Sequence, residues 1–258
     1  MKLQVCDISF YYNRTPVLKG ISLDIAAGEF AAIIGPNGSG KTTLIRCIDG
    51  ILRPAAGSVL IDERDIRTLS DRERARKIAY VPQSEERRFP IRVFCSVLMG
   101  RKPCFSWAPG KDDLHKTAET IDFLGLSEVS KRDINQLSGG QRQKVDIARA
   151  LVLEPEILLL DEPTTNLDFR HQLEILDVLK HLSGKGVTVI MAIHDLSLAG
   201  RYADRVVILD RGAVFASGGT EIITPEHIER VYGVKVSIIN NHDGFFVIPR
   251  KRANGNDD

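Results

Sequence analysis

FAAIIGPNGSGKTTLI, residues 30–45, decides how the chain is read. It joins a short continuous apolar run to a glycine-rich turn and then to a stretch with helical spacing. Such a run fits a strand buried on both faces of a parallel sheet. GPNGSGKT (35–42) matches G-x-x-x-x-G-K-[ST] in full, and it sits between the strand and the helix that the motif requires. Gly35, Gly38 and Gly40 let the backbone curl until its N–H groups point at phosphate oxygens. Pro36, Asn37, Ser39 and Thr43 complete the loop. Lys41 carries a positive charge to the terminal phosphates of a nucleotide, and the Thr42 hydroxyl suits Mg²⁺. The bland alternative is a glycine-rich turn with no ligand, and the agreement of motif and context disfavours it.

Outward from this loop, strands and helices alternate. LQVCDISFYY (3–12) and VLKGISLDIAAGE read as strands, GSVLIDERDI as a strand and turn, and SDRERARK (70–77) as a charged helix. IAYVPQ (78–83) is a strand that stops at Pro82. ILLL (157–160), VTVIMAIHD (187–195) and RVVILDRG (205–212) are further strands, and HQLEILDVLKHL places Leu173, Leu176, Leu179 and Leu182 on one helical face. This alternation argues an α/β fold with parallel strands. Residues 84–136 change to broken helical patterns and read as a separate, largely helical lobe. SIINNHDGFFVI near the end reads as a hairpin, and the RKR that follows belongs to a solvated terminus.

The carboxyl ends of such strands are where ligands bind. Asp161 and Glu162 end ILLLDE there: Asp161 to help hold Mg²⁺ through water, Glu162 to orient and polarise an attacking water. His194, at the end of VTVIMAI, is placed to donate to a γ-phosphate, although a lone strand-end histidine is more often structural. Gln83 ends IAYVPQ at the seam with the helical lobe, where its amide can reach Mg²⁺ or the attacking water; a solvent-facing loop amide is the alternative. Tyr12 closes the first strand and offers a face for stacking on adenine. Tyr11 points the other way, and the two exchange roles if the register is reversed.

A second anion grip follows one hundred residues later. LSGGQ (137–141) opens a helix with a glycine pair, and Ser138, Gly139, Gly140 and Gln141 present a hydroxyl, free N–H groups and the positive end of a dipole. Asp168, in TNLD, suits a helix N-cap.

Composition narrows the classes. The 258 residues carry 35 basic and 34 acidic side chains, a net charge of +1, which gives no long-range pull on nucleic acid. At 43% apolar the chain can bury a sizeable core. The four cysteines form no C-x-x-C pair and no zinc spacing, which suits reduced structural thiols. MKLQVCDISF is too polar for a signal peptide, and no run approaches the roughly 20 apolar residues of a membrane span.

GPNGSGKT, Gln83, LSGGQ, ILLLDE, TNLD and His194 occur in the order seen in ATP-binding cassette proteins, and over about residues 1–232 the chain resembles that family. The resemblance implies a P-loop NTPase core with a mainly parallel sheet over 1–83 and about 155–232. It also implies a small antiparallel β part near the N-terminus, an inserted helical subdomain over 84–154 that carries LSGGQ, and a short C-terminal extension over 233–258. It implies ATP and Mg²⁺ as ligands, with Thr42, Gln83 and Asp161 toward the metal. It further implies a head-to-tail pair of cassettes in which the partner's Ser138–Gln141 stretch closes each ATP, with Asp168 at the seam. FPIRVFCSVLMGRKPCFSW, DLSLAGRYADRVVILDRG and TPEHIERVYGV look like the ATPase subunits of iron-siderophore, haem and cobalamin importers. In that group the subunit lies at the cytoplasmic face of the membrane, docks a permease through the segment after Gln83, and meets a substrate-binding protein only through the permease. Phe89, Ile91, Val93, Phe94, Val97, Leu98 and Met99 exceed what a small lobe buries, so part of them is expected at that surface. The chain departs from the group at Cys95-Ser96, where an acidic residue is frequent. A DNA-repair cassette would insert long coiled coils, a translation factor two cassettes, and a small-molecule kinase would have no use for LSGGQ. The other reading the sequence leaves is a cassette ATPase with a different cargo or a non-transport role.

Overall fold

The computed structural model describes residues 2–83, 89–105, 107–242 and 244–250. Expectations that fall on residues 84–88, Ser106, Asp243 and the terminus from 251 lie outside the described residues.

A six-stranded sheet forms the centre. Its order is β10 (Ala213–Gly218), β9 (Arg205–Asp210), β3 (Phe30–Ile34), β8 (Thr188–Ala192), β7 (Ile157–Asp161) and β6 (Ile78–Val81). All neighbours are parallel except β10, which returns antiparallel on β9. Every residue of β3, β7 and β8 is buried, as continuous apolar runs covered on both faces require. β1 (Lys2–Tyr12), β2 (Thr15–Ala26), β4 (Ala56–Ile61) and β5 (Arg64–Asp65) make a second, antiparallel sheet in the order β2-β1-β4-β5. It packs its apolar face on α1 (Lys41–Asp49) and one side of the central sheet, through Leu3, Val5, Ile8, Ile21 and Ile25. This is the expected α/β P-loop core with an antiparallel part near the N-terminus.

The other face of the central sheet carries α6 (Phe169–Gly184), α7 (Leu196–Tyr202) and the helical lobe of α3 (Val93–Met99), α4 (Lys111–Phe123) and α5 (Gly139–Leu151). The lobe does not enclose a core of its own. Val93, Val97, Ile121 and Val145 join Leu158, Leu160 and Leu179 in one continuous cluster. Inside the lobe Arg101 is buried, 6% exposed. Its guanidinium donates to Asp113 Oδ1 (2.7 Å), Asp112 Oδ2 (3.1 Å) and the Val152 carbonyl (3.1 Å). Removing one partner of such a pair costs about 3–5 kcal/mol.

The apolar segment at the lobe's edge splits in two. Val93 and Val97 are fully buried, and Ile91, Phe94 and Leu98 partly so. Phe89 (92% exposed) and Met99 (62%) face outward, joined by Trp107 (99%). Val93 and Val97 are therefore core residues and not part of any docking surface.

After α8 (Pro225–Tyr232) comes the expected hairpin, β11 (Val236–Asn241) and β12 (Gly244–Pro249), paired in register from Val236 opposite Pro249. β12 lies against α7, a neighbour that no sequence pattern indicated.

Candidate nucleotide site

The loop between β3 and α1 is shaped by two demands on its backbone. At Gly35 (φ 154°) a Cβ would stand 2.3 Å from the Leu209 carbonyl oxygen, so the loop presses on the end of β9 and only glycine fits. Gly40 takes the left-handed region (φ 104°) to turn the chain into α1. Asn37, Gly38, Gly40, Lys41, Thr42, Thr43, Val17 and Glu162 line a cavity of about 170 Å³ over the loop. Two larger cavities, of about 310 and 330 Å³, lie away from the loop and contain none of its residues.

Lys41 is folded back into its own loop. Its ammonium donates to the carbonyls of Gly35 (2.8 Å) and Pro36 (3.3 Å). Burial holds its pKa below the usual lysine value, against the opposing pull of the Glu162 and Asp161 carboxylates. Ser39 Oγ is buried with no hydrogen-bond partner. A buried hydroxyl without a partner, a curled backbone and a desolvated cation form a set that an anion would satisfy.

β7 delivers the two acids. Asp161, 1% exposed, accepts from Thr42 Oγ1 at 3.0 Å and from the Tyr80 hydroxyl at 3.4 Å. Burial raises its pKa, and the Thr42 hydrogen bond works in the other direction. Thr42, Asp161 and the Gln83 amide are hard oxygen donors, the kind that Mg²⁺ takes, so the residues present fit that ion. Glu162 sits in the left-handed region (φ 52°), an uncommon place for a side chain of its size, and its amide donates to the Ala192 carbonyl at 3.1 Å. That kink aims its carboxylate over the loop. Oε2 accepts from Gln83 Nε2 (3.2 Å) and Thr165 Oγ1 (3.4 Å), and Oε1 is in direct contact with His194 Nε2.

Three of the expected residues, Gln83, Glu162 and His194, thus meet directly, beside Lys41, Thr42 and Asp161. β6 ends at Val81 and β8 at Ala192. Gln83 and His194 therefore stand two residues past their strands and not at their last positions. That extra reach is what brings both onto Glu162. Tyr11 (50% exposed) and Tyr12 (46%) are both open to solvent, with the Tyr12 ring edge-on to Phe10 at 4.9 Å. Neither lines the cavity over the loop, and either face remains available to a base.

The second grip stands apart. Ser138 caps α5: its Oγ accepts from the Gln141 amide and the Gln141 side chain accepts from the Ser138 amide, both at 3.2 Å. The hydroxyl proton of Ser138 and the amides of Gly139 and Gly140, at the helix start, stay available for an acceptor. The stretch packs on Asn166, Leu167 and His171 instead of the phosphate loop. Asp168 caps α6 by accepting from the His171 amide at 2.9 Å, and also pairs with His171 Nδ1 at 2.7 Å. These bonds hold its carboxyl below the usual range, the amide bond most of all.

Sequence reasoning missed Tyr80, Thr165 and His171. Tyr80 is half-buried between the buried Ala79 and Val81; a hydroxyl interrupting an apolar strand was the available signal. Thr165 and His171 lie in turns and helix starts, where spacing carries no such information.

The ABC transporter family pattern matches residues 18–165. An uncharacterized ABC transporter ATP-binding protein of Methanocaldococcus jannaschii is 44% identical over 96% of this chain and 98% of its own length. A hemin import ATP-binding protein of Bradyrhizobium diazoefficiens is 38% identical over 92% of this chain and 91% of its own. Among solved structures, an ABC transporter described as of metal-chelate type, in an inward-facing conformation, superposes with a TM-score of 0.84 at 29% identity, covering 97% of this chain and 98% of that one. A dimeric ATP-binding cassette in a post-hydrolysis state with ADP and Pi does so with a TM-score of 0.75 at 30% identity, covering 84% and 98%. With its phosphate loop, paired acids and LSGGQ helix in place, the chain belongs to the ABC transporter family and is an ATP-hydrolysing cassette subunit of it.

Proposed function

We propose that this ATPase drives a membrane importer of metal chelates of the iron-siderophore, haem or cobalamin kind. The observation that carries the catalytic part is the convergence of Gln83 and His194 on the kinked Glu162 above Lys41. In this reading the loop amides of residues 35–43 and Lys41 bind the β- and γ-phosphates, and Tyr12 or Tyr11 stacks on the base. Thr42, Asp161 and Gln83 hold Mg²⁺, which when bound neutralises developing phosphate charge. Glu162 orients the attacking water, and His194 donates to the γ-phosphate. An ATP arriving at the loop replaces the Gly35 and Pro36 carbonyls as partner of the Lys41 ammonium.

The separation of Ser138–Gln141 from the chain's own loop supports a head-to-tail pair. Each signature helix start then serves the partner's nucleotide, with Asp168 at the seam. Only the closed pair binds ATP with both grips, so ATP shifts the population toward closure. Phe89, Met99 and Trp107, exposed on the helical lobe, suit a permease contact, and a substrate-binding protein would act through that permease. In this reading the permease holds the subunit at the cytoplasmic face; no helix of the described residues is itself long and apolar enough to cross a membrane. The hemin-import relative and the metal-chelate type structure support the cargo class.

The test is to purify the chain with its membrane partner, reconstitute both in vesicles and measure ATP-dependent uptake of ferric siderophore, haem and cobalamin. Uptake of one of them, lost in Glu162→Gln, is expected. ATPase activity with no uptake of any would favour another cargo or a non-transport role.

A further inference from the structure

α7 has seven residues, fewer than two turns. A helix that short has no stability of its own, and contacts with the rest of the fold set its position. His194 lies directly before its N-cap. Asp195 Oδ1 accepts from the amides of Ser197 (2.8 Å) and Leu198 (2.9 Å), which makes the first turn rigid with respect to the histidine. One face of α7 is fixed from inside: Leu198, Ala199 and Tyr202 are buried, and the Tyr202 hydroxyl donates to Asp177 on α6 at 2.8 Å.

The opposite face is fixed by the C-terminal hairpin. The Val247 amide on β12 donates to Ser197 Oγ at 2.9 Å. Ser197 is thereby tied at both ends, its amide to the cap and its hydroxyl to the hairpin. One turn further, a Cβ on Gly200 would stand 2.1 Å from the Phe245 ring, so that ring rests on the helix backbone itself. Phe245 is 7% exposed and Val236, across the hairpin, 5%. Neither contact reaches the nucleotide loop, and neither is needed to close the central sheet.

We propose that Phe245 and Ser197 are positioning residues for hydrolysis: the hairpin clamps α7, and the clamped helix sets where His194 stands against Glu162. The proposal rests on the role given above to His194. A misplacement of about 1 Å costs up to roughly a hundredfold in rate, so loosening the clamp is expected to lower kcat about tenfold while the loop that binds ATP is untouched.

The test is a double-mutant cycle on the full chain. Phe245→Ala, Ser197→Ala and His194→Ala are made singly, and the first two again in the His194→Ala background. Single-turnover assays keep slow variants measurable, and a fluorescent ATP analogue reports binding. Phe245→Ala is expected to lower kcat about tenfold with KM and analogue affinity within about twofold, and to cause no further loss once His194 is gone. Ser197→Ala leaves the Val247 amide without its acceptor and is expected to act in the same direction, more weakly. A loss that persists undiminished in the His194→Ala background overturns the clamp, as does an unchanged kcat in both hairpin variants. An unchanged kcat in His194→Ala alone overturns the role of the histidine instead. As Phe245→Ala can open the hairpin altogether, ¹³C-histidine NMR of Ser197→Ala gives a second reading: the His194 signal, assigned by its loss in His194→Ala, is expected to shift, and an unmoved signal contradicts the clamp.

Discussion

Gly140 lies against the imidazole of His171 so closely that a Cβ on it would stand 2.3 Å from the ring. Its neighbour Gly139 is different: there a Cβ would make only ordinary contact, 3.5 Å from Leu167. The two signature glycines therefore have separate reasons to be glycine. Gly140 lets α5 approach α6 and the Asp168–His171 pair, and Gly139 keeps an open face. Gly140→Ala is expected to destabilise the fold by about 1–3 kcal/mol through overpacking. Gly139→Ala is expected to leave the melting temperature nearly unchanged and to weaken hydrolysis. Thermal melts beside ATPase assays distinguish them.

Lys41→Met separates binding from stability. The buried ammonium of Lys41 is held below its usual pKa, so its charged form costs the folded state free energy at neutral pH. An uncharged side chain of similar length removes that cost. The variant also gives up the hydrogen bonds to the Gly35 and Pro36 carbonyls, a loss that offsets the gain, so the ligand-free protein is expected to melt close to the parent. Its ATP affinity is expected to fall about 10- to 100-fold, as loss of a charged hydrogen bond implies.

Asp49 offers a pH signature away from the site. Burial raises its carboxyl to about 6, against the opposing pull of Arg74. A raised acid contributes its full share below its unfolded value of about 3.8 and loses it as pH rises through about 6. Stability is thus expected to decline between pH 4 and 6 on its account. Asp49→Asn should flatten that decline and stabilise the chain at pH 7 by at most about 3 kcal/mol, read by urea unfolding across the range.

Glu162→Gln keeps the shape of the residue and removes the carboxylate proposed to orient the attacking water. ATP binding is expected to survive, while hydrolysis falls by about 10²- to 10⁴-fold. A variant that lost binding in proportion would point to a role for Glu162 in holding the nucleotide.

Legibility divides along physical lines. The runs FAAII, ILLL and VTVIMA could be read as doubly buried strands because parallel strands covered by helices have no polar face to show. The phosphate loop was legible because its glycines, lysine and threonine are fixed by phosphate chemistry at set spacing. Strand order was not legible: β3 lies between β8 and β9, elements from the far end of the chain, and no local pattern encodes such a neighbour. The single apolar cluster shared by lobe and sheet was hidden for the same reason, since Val93 and Val97 show a helical stripe without saying what it faces. The reach of Gln83 and His194 onto Glu162 depends on loop conformation two residues beyond each strand, and on a left-handed kink that a glutamate seldom adopts. The Phe245–Gly200 contact was equally silent, because a lone helix glycine names no partner.

The central claim is that the two anion grips, at 35–42 and 138–141, serve two different nucleotides. The most direct measurement is the mass of Glu162→Gln in solution, by light scattering, with and without ATP. The account predicts a shift from monomer to dimer that requires ATP and is abolished by adding Gly139→Asp. A mass that stays monomeric at saturating ATP, or a dimer indifferent to Gly139→Asp, would contradict it.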